Sequence, residues 1–396
     1  MTRKVFLEPL WKLHVGYHVN ELAPCPPQGY EFVLPKSNDG RLIPALSQKS
    51  FTPRLYSLLG EVMPLHLVKS FLDSRIANVP DDCDLVYCCH HFSFRKEPWV
   101  AEIDAIWDPI GPGYRMFRAL RPLVERAVLS KNCRAVLVFS DFSKQVLLSA
   151  LRHPEAREKV TILPRAVRLK PATASHQNED FHLLFMGSAN LAGELEMRGG
   201  KEVLEAFRIL SARYPAVRLT IRSDIPADVA SRYEDVLALP TVRWIRRWAS
   251  AEELEQLYTS ANVLVFPGHY DNWLVVLEAM SYGLSVIATD VYANRERVRD
   301  GATGLLVRPS RHVPYYLDGL PLFTFSRRFQ RAIRRVDRAV VEDLVTKVVR
   351  LIEDRDLTHR MGQAAKAEVA NGSFSIGNRN KVLKEVFDRA IGASGG

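Results

Sequence analysis

Glu278 sits in the run WLVVLEAMSYG, among the apolar neighbours Leu274, Val275, Val276, Leu277, Ala279 and Met280. A carboxylate in such surroundings must be hydrogen-bonded or paired, because an unpaired buried charge costs several kcal/mol or is neutralised by a proton. Two kinds of partner fit: the hydroxyls of a bound ligand, or a structural ion pair with one of the chain's arginines. A second set of candidates lies earlier. His90 and His91 follow the apolar run DLVYCC, and Asp104 closes PWVAEID. Open α/β sheets place ligands outside the carboxyl ends of their strands, which makes the two histidines candidates for a cleft or acceptor contact. Core histidines, and a helix N-cap at Asp104, are the plain alternatives.

The elements that would position Glu278 are legible around it. Residues 263–267 read as a strand, 268–272 as a polar loop, 273–282 as a helix stopped by Gly283, and 285–289 as a second strand. The helix is apolar nearly all round, which predicts burial against a parallel sheet. Other strands are expected at 5–7, 84–89, 98–104, 135–139, 159–167, 181–186, 218–222 and 242–244, and helices at 118–129, after the caps Ser140 and Ser250, and at 381–390. Residues 11–20 read as a loop. Residues 170–180, KPATASHQNED, are polar and lack periodic apolar positions, so the domain boundary is placed there. The domains expected are 1–170, a linker at 171–180, 181–372, and a closing segment at 373–396.

A chain of 396 residues is too long for one ordinary core and fits two domains. With 47% hydrophobic and 25% charged residues, and no apolar run long enough to cross a bilayer, it reads as a globular cytoplasmic protein. Glu8, Lys12 and His14 interrupt the N-terminal segment before it could serve as a signal peptide. Five cysteines, with Cys88 and Cys89 adjacent, suit neither a disulfide framework nor a metal knuckle. A net charge of +9 favours anionic partners, yet no nucleic-acid module is present, so direct nucleic-acid binding is not expected.

The order of strand, acidic loop, LEAM, Gly283, apolar strand and RDGATGLLV resembles the donor-binding half of retaining glycosyltransferases of family 4. The resemblance implies the GT-B fold: two Rossmann-like α/β domains facing a cleft, with a C-terminal helix crossing back to the first. It implies metal-independent transfer from a UDP- or GDP-sugar, without a resident cofactor, to a glycan, lipid-linked or small-molecule acceptor. In that family two glutamates eight positions apart contact the sugar and the ribose. Glu278 takes the ribose position, and eight helical residues rise ~12 Å, enough to separate the two contacts. Tyr270 replaces the first glutamate, with Asp271 next to it, so Asp271 is a candidate for the sugar contact and for catalysis, as is Asp104. Tyr270, Asn272 and Trp273 join the donor set.

Family members clamp the diphosphate with two cations. Here Ser188 stands in place of the first, and Arg198 fits the second, with Lys201 as helper. Arginine's fork suits a diphosphate. Gly16 matches a glycine-rich loop near the donor phosphates, although a simple turn explains it too. Arg246 and Trp248 fall where relatives place the nucleotide base.

Residues 311–338 depart from the family. Phe329, Ile333, Val336 and Val340 share one helical face, with Arg327, Arg328, Arg331, Arg334, Arg335 and Arg338 around it and Tyr315, Tyr316, Phe323 and Phe325 ahead. A basic amphipathic helix suits peripheral contact with an anionic membrane at the inner face; an inserted helix with a solvated basic side is the alternative. Two other functions remain open: another GT-B sugar-nucleotide activity such as epimerisation, and a catalytically silent nucleotide-sugar-binding partner.

Overall fold

A computed structural model describes residues 2–9, 15–34, 64, 67–68, 70–71, 74, 79–104, 114–174, 180–188, 194–271, 273–322, 324 and 326–392. The chain divides into two compact units, Met1–Ala166 with Ile376–Gly396, and Val167–Ser375.

The first unit is built on a six-stranded parallel sheet, β1 (Arg3–Pro9), β2 (Tyr30–Val33), β3 (Leu85–Cys89), β4 (Trp99–Ile103), β5 (Cys133–Val138) and β6 (Val160–Ile162), ordered β2-β1-β3-β4-β5-β6. All five residues of β3 and of β4 are buried, as expected for central strands covered on both faces. The Ser140 hydroxyl accepts from the Ser143 amide at 3.0 Å and opens the Asp141–Ala150 helix, as its sequence predicts.

Residues 15–22, by contrast, do not form a loop. Val15–Leu22 is a helix of π type, and Gly16 lies inside it. Tyr17, His18 and Leu22 are buried along its inner side, so a lone glycine is overridden by three large side chains that pack.

The helix Ile376–Gly392 completes this unit, starting earlier than its periodicity suggested. Phe387 packs edge-on against Tyr30, Phe32 and Tyr87. Arg379, fully buried, donates to the carbonyl oxygens of Glu21 and Cys25, while Asn380 donates to those of Cys25 and Pro26.

The second unit holds another six-stranded parallel sheet, β7 (His182–Met186), β8 (Arg218–Arg222), β9 (Val242–Ile245), β10 (Val263–Phe266), β11 (Ser285–Thr289) and β12 (Gly304–Val307), ordered β12-β11-β10-β7-β8-β9. The order reverses between β7 and β10, the kind of switch point at which open sheets bind ligands. The polar stretch read as a linker is held on this unit at its start: the Ala174 amide donates to the Tyr282 carbonyl at 2.8 Å, and Lys366 Nζ to Thr173 Oγ1 at 2.6 Å. Ser250 and Glu253 form a reciprocal capping box on the Ala251–Ser260 helix.

The Trp273–Ser281 helix ends where Gly283 takes a φ of 82°. It is not buried all round. Trp273, Val276, Leu277, Ala279 and Met280 are buried, while Leu274, Val275 and Glu278 form a half-buried side.

The basic segment is not one amphipathic helix. A two-strand hairpin, β13 (Tyr316–Leu317) with β14 (Leu320–Pro321), precedes a short helix, Arg327–Ala332, and a separate one, Arg338–Glu353, begins where Asp337 caps it through the Ala339 amide at 3.0 Å. Phe329, Ile333 and Val340 are buried in this unit, so the apolar face is consumed by the domain's own packing. Phe323 and Phe325 lie outside the described residues. Among the described residues, no helix is long and apolar enough to cross a membrane.

Candidate functional site

The carboxyl edge of β7, β8, β9 and β10 gathers the polar groups of the second unit. Glu278 enters from the Trp273–Ser281 helix, and its Oε2 accepts from the Tyr258 hydroxyl at 3.0 Å. Tyr258 is enclosed, and burial raises its phenol well above the usual range, with the Glu278 charge adding to the effect. The hydroxyl therefore stays a donor. Tyr282 stacks on Tyr258 with ring centroids 5.0 Å apart, fixing the ring from behind.

Arg198 is committed to the fold. Its Nε donates to Glu194 Oε2 at 2.9 Å and its Nη1 to the carbonyls of Met186 and Gly187, both at 3.1 Å. Burial works against its charge, and Tyr270 and Glu194 outweigh that penalty, so the group remains a cation. Tyr270 donates to the same Glu194 oxygen at 3.0 Å. Lys201 reaches the Arg334 carbonyl and lies 3.9 Å from Glu196. Burial lowers its pKa. Asp271 pairs with the buried Arg297 at 3.1 Å. Trp273 is buried at the helix start, and Asn272 lies outside the described residues.

Gly199, with a φ of 76°, fits only without a side chain: a Cβ there would meet the Pro267 carbonyl oxygen at 2.1 Å. The His269 amide donates to the Met197 carbonyl at 2.8 Å, so the loop after β10 and the turn carrying Arg198 are locked together.

Beyond β9 the chain presents Trp248, 70% exposed, and Arg246, whose guanidinium lies 4.5 Å over the Trp244 ring. Arg222, the last residue of β8, places its guanidinium carbon 5.9 Å from the Trp248 ring centre. The sequence reading passed over Arg222 and Glu194. A cation ending the strand RLTIR was the available signal for the first; nothing in the sequence marked the second.

In the first unit the polar residues converge on Glu102. His18 Nε2 lies 2.9 Å from Glu102 Oε1, the Tyr87 hydroxyl donates to Oε2 at 2.6 Å, and His90 Nε2 and Arg165 Nη2 stand 3.5 Å and 3.9 Å from Oε1. Burial pushes the Glu102 carboxyl up; His18, His90 and Arg165 outweigh it and hold the group far below the carboxylate range. His90 closes β3 with a φ of 63°, a strained backbone for a residue with a side chain. Asp104, partly exposed, sits 3.5 Å from Arg165. His18, His90 and Glu102 could present three ligand atoms to an ion, but the Arg165 guanidinium beside them opposes a cation.

His91 is a core residue rather than a cleft residue. It is fully buried, with Nδ1 at 3.0 Å from the Cys89 carbonyl and Nε2 at 3.3 Å from Glu8. The two histidines, in the bend after β3, face different acids, His90 toward Glu102 and His91 toward Glu8. Burial pushes Glu8 up, and His91 with Arg95 overcomes it, bringing its pKa down to about 2.

Residues 180–315 match the family model described as glycosyl transferases group 1. Over that segment the chain is similar to glycosyl transferases of group 1. The chain is also similar to D-inositol 3-phosphate glycosyltransferases, 29% identical over 167 residues for the protein of Paenarthrobacter aurescens and 45% over 141 residues for that of Nocardia farcinica. These matches cover 38% and 35% of this chain and 40% and 24% of the relatives, so the chain spans less than half the length of the curated proteins it matches.

Over the whole chain the likeness is to solved structures. Anabaena HepE in complex with UDP and glucose aligns at a TM-score of 0.60 and 15% identity over 98% of this chain and 100% of that one, and a glycosyltransferase from Rickettsia africae aligns at 0.60 and 14% over 98% of both. The chain therefore has the two-domain α/β GT-B fold. The edge of β7–β10 that gathers Glu278, Arg198 and Arg222 falls within or beside the segment that the family model covers.

Proposed function

We propose that this chain is a retaining glycosyltransferase of family 4 type that moves a sugar, without a metal ion, from a nucleotide diphosphate sugar to a glycan, lipid-linked or small-molecule acceptor. The observation that carries the reading is Glu278: a half-buried carboxylate on the Trp273–Ser281 helix, hydrogen-bonded by the Tyr258 hydroxyl, within the segment that resembles glycosyl transferases of group 1. In this reading Glu278 holds ribose hydroxyls, and Trp248 with Arg246 receives the base. Asp271 lies near the transferred sugar, positioned by Arg297. His90 and Asp104 belong to the acceptor side, where His90 stands beside Glu102 and Asp104 beside Arg165. Catalysis rests on preorganised cations that stabilise the departing diphosphate.

The test is release of nucleoside diphosphate by pure protein from UDP-, GDP- and ADP-sugars, with candidate acceptors and with a chelator present. Acceptor-dependent release that survives the chelator supports the reading. Donor isomerisation without an acceptor would indicate an epimerase instead. A catalytically silent binder is the second reading, favoured by the commitment of Tyr270 to Glu194 and of Asp271 to Arg297; nucleotide binding with no turnover of any donor would support it.

We also propose a peripheral contact with anionic membrane. Arg327, Arg328, Arg331, Arg334, Arg335 and Arg338 are all exposed, and among the described residues their side chains form no ion pair. With the apolar face packed inside, such a contact is electrostatic and does not insert.

A further inference from the structure

Arg222 is 8% exposed, and its Nε is enclosed with no hydrogen-bond partner. Among the described residues its guanidinium makes no ion pair either. Taking a cation out of water without pairing it is costly, and nearly every buried charge in a folded protein is matched. Burial accordingly lowers its pKa, and the neighbouring Arg198 charge works in the same direction. The partner that would repay this is an anion that arrives from outside.

The neighbouring cations are already engaged. Arg198 is spent on Glu194 and two strand carbonyls, and Lys201 on the Arg334 carbonyl and Glu196. Arg222 stands opposite Met186 in the β7–β8 register, beside Gly187, where a Cβ would collide with the Ser223 hydroxyl at 2.2 Å. The backbone there is pressed tight, and the small residues Gly187 and Ser188 bring no charge of their own. On the other side of Arg222 lies the exposed Trp248 ring, and the Glu278 charge acts on the same guanidinium.

We infer that Arg222 is the residue that receives the phosphates of a nucleoside diphosphate at this edge, and that it, more than Arg198, sets the preference for a diphosphate over the bare nucleoside. The inference rests on the donor-site reading above, because the same edge must hold base and ribose. A guanidinium with free Nε and Nη donors can give a phosphate two parallel hydrogen bonds, strengthened by the low exposure of the site. The unliganded protein carries the cost of the unpaired charge, and binding relieves it.

The experiment is titration calorimetry of the full chain with UDP, GDP and ADP, followed by the monophosphate and nucleoside of the base that binds best, on wild type, Arg222→Gln and Arg222→Lys. The expected wild-type result is a diphosphate preferred over its nucleoside by well over tenfold. Arg222→Gln should lose at least tenfold in diphosphate affinity and keep nucleoside affinity, and Arg222→Lys should retain part of the preference. Melting of unliganded Arg222→Gln should be unchanged or higher, since an unpaired buried charge has been removed.

A diphosphate preference that survives Arg222→Gln would overturn the assignment while leaving the donor site intact. A lowered melting temperature with equal loss for nucleoside and diphosphate would make Arg222 structural and overturn it as well. Wild type that binds none of the three diphosphates would remove the donor-site reading together with the inference.

Discussion

The Tyr258 hydroxyl donates to Glu278 Oε2 at 3.0 Å, across from the helix that carries the acid to the helix that precedes β10. The bond keeps one carboxylate oxygen fixed and leaves the acid's orientation independent of a ligand. Glu278→Ala should therefore abolish most of the thermal shift given by the preferred nucleoside diphosphate. Tyr258→Phe should weaken binding by roughly 1 kcal/mol, the net worth of one such hydrogen bond. An unchanged shift in Glu278→Ala would refute the ribose role.

Trp248 is expected to act on the base alone. Trp248→Ala should lower affinity for a nucleoside and its diphosphate by the same factor, with base stacking worth about 1–3 kcal/mol. Because the ring is 70% exposed, the melting temperature should stay within the scatter of surface substitutions. Calorimetry of both ligands distinguishes this uniform loss from the selective loss expected at Arg222.

Removing Arg198 should damage the fold rather than the ligand preference. Arg198→Met removes the cation paired with the buried Glu194 carboxylate and the donor to the Met186 and Gly187 carbonyls. Breaking such a pair costs on the order of 3–5 kcal/mol. Denaturant unfolding of the variant should show a lowered midpoint, and the double variant Arg198→Met with Glu194→Gln should recover part of it.

Acid stability should depend on Glu8. Its folded pKa of about 2 lies below the ordinary carboxyl value of 4.5, through His91 and Arg95 acting against burial. A depressed carboxyl contributes stability that is complete above the unfolded pKa and is lost as pH falls through the folded one. The loss should therefore run from about pH 4.5 down to about pH 2, and amount to roughly 3 kcal/mol at 1.36 kcal/mol per pKa unit. Glu8→Gln should be less stable at neutral pH and show a shallower pH dependence of unfolding over that interval.

The basic segment gives a prediction about lipid. Flotation with vesicles containing phosphatidylserine should carry the protein up at low salt and lose it at 0.5 M salt, where screening shortens the reach of charge to a few ångströms, about 4 Å. Glu substitution of Arg327, Arg328 and Arg331 together should reduce flotation several-fold. Equal flotation of the variant would end the proposal.

The periodic runs settled much in advance. Strands such as LVYCC and SVIAT are apolar on both faces, and only a covered parallel sheet accommodates that, so two α/β units and most of their strands followed from local pattern. The Ser140 and Ser250 caps were legible because a cap is a contact between residues three apart. Glu278 stood out because one acid in an apolar helix must be answered by something.

What answers it was not readable. Tyr258 lies twenty positions away and meets Glu278 only once β10 and its flanking helices are packed. The same holds for Arg198, which the family resemblance nominated as a diphosphate clamp and the fold ties to Glu194, and for Arg222, which the sequence did not single out and the fold leaves unpaired. His90 and His91 are neighbours in sequence, yet the bend after β3, with His90 at a φ of 63°, sends one toward Glu102 and the other toward Glu8. The basic segment shows the limit of periodicity: Phe329 and Ile333 have helical spacing, but whether that face meets lipid or the domain's own core depends on what lies opposite. Sequence by itself fixes which residues want partners, since that is a property of each side chain and its near neighbours. Which partner is met is decided by contacts between distant parts of the chain, and only the folded structure holds them.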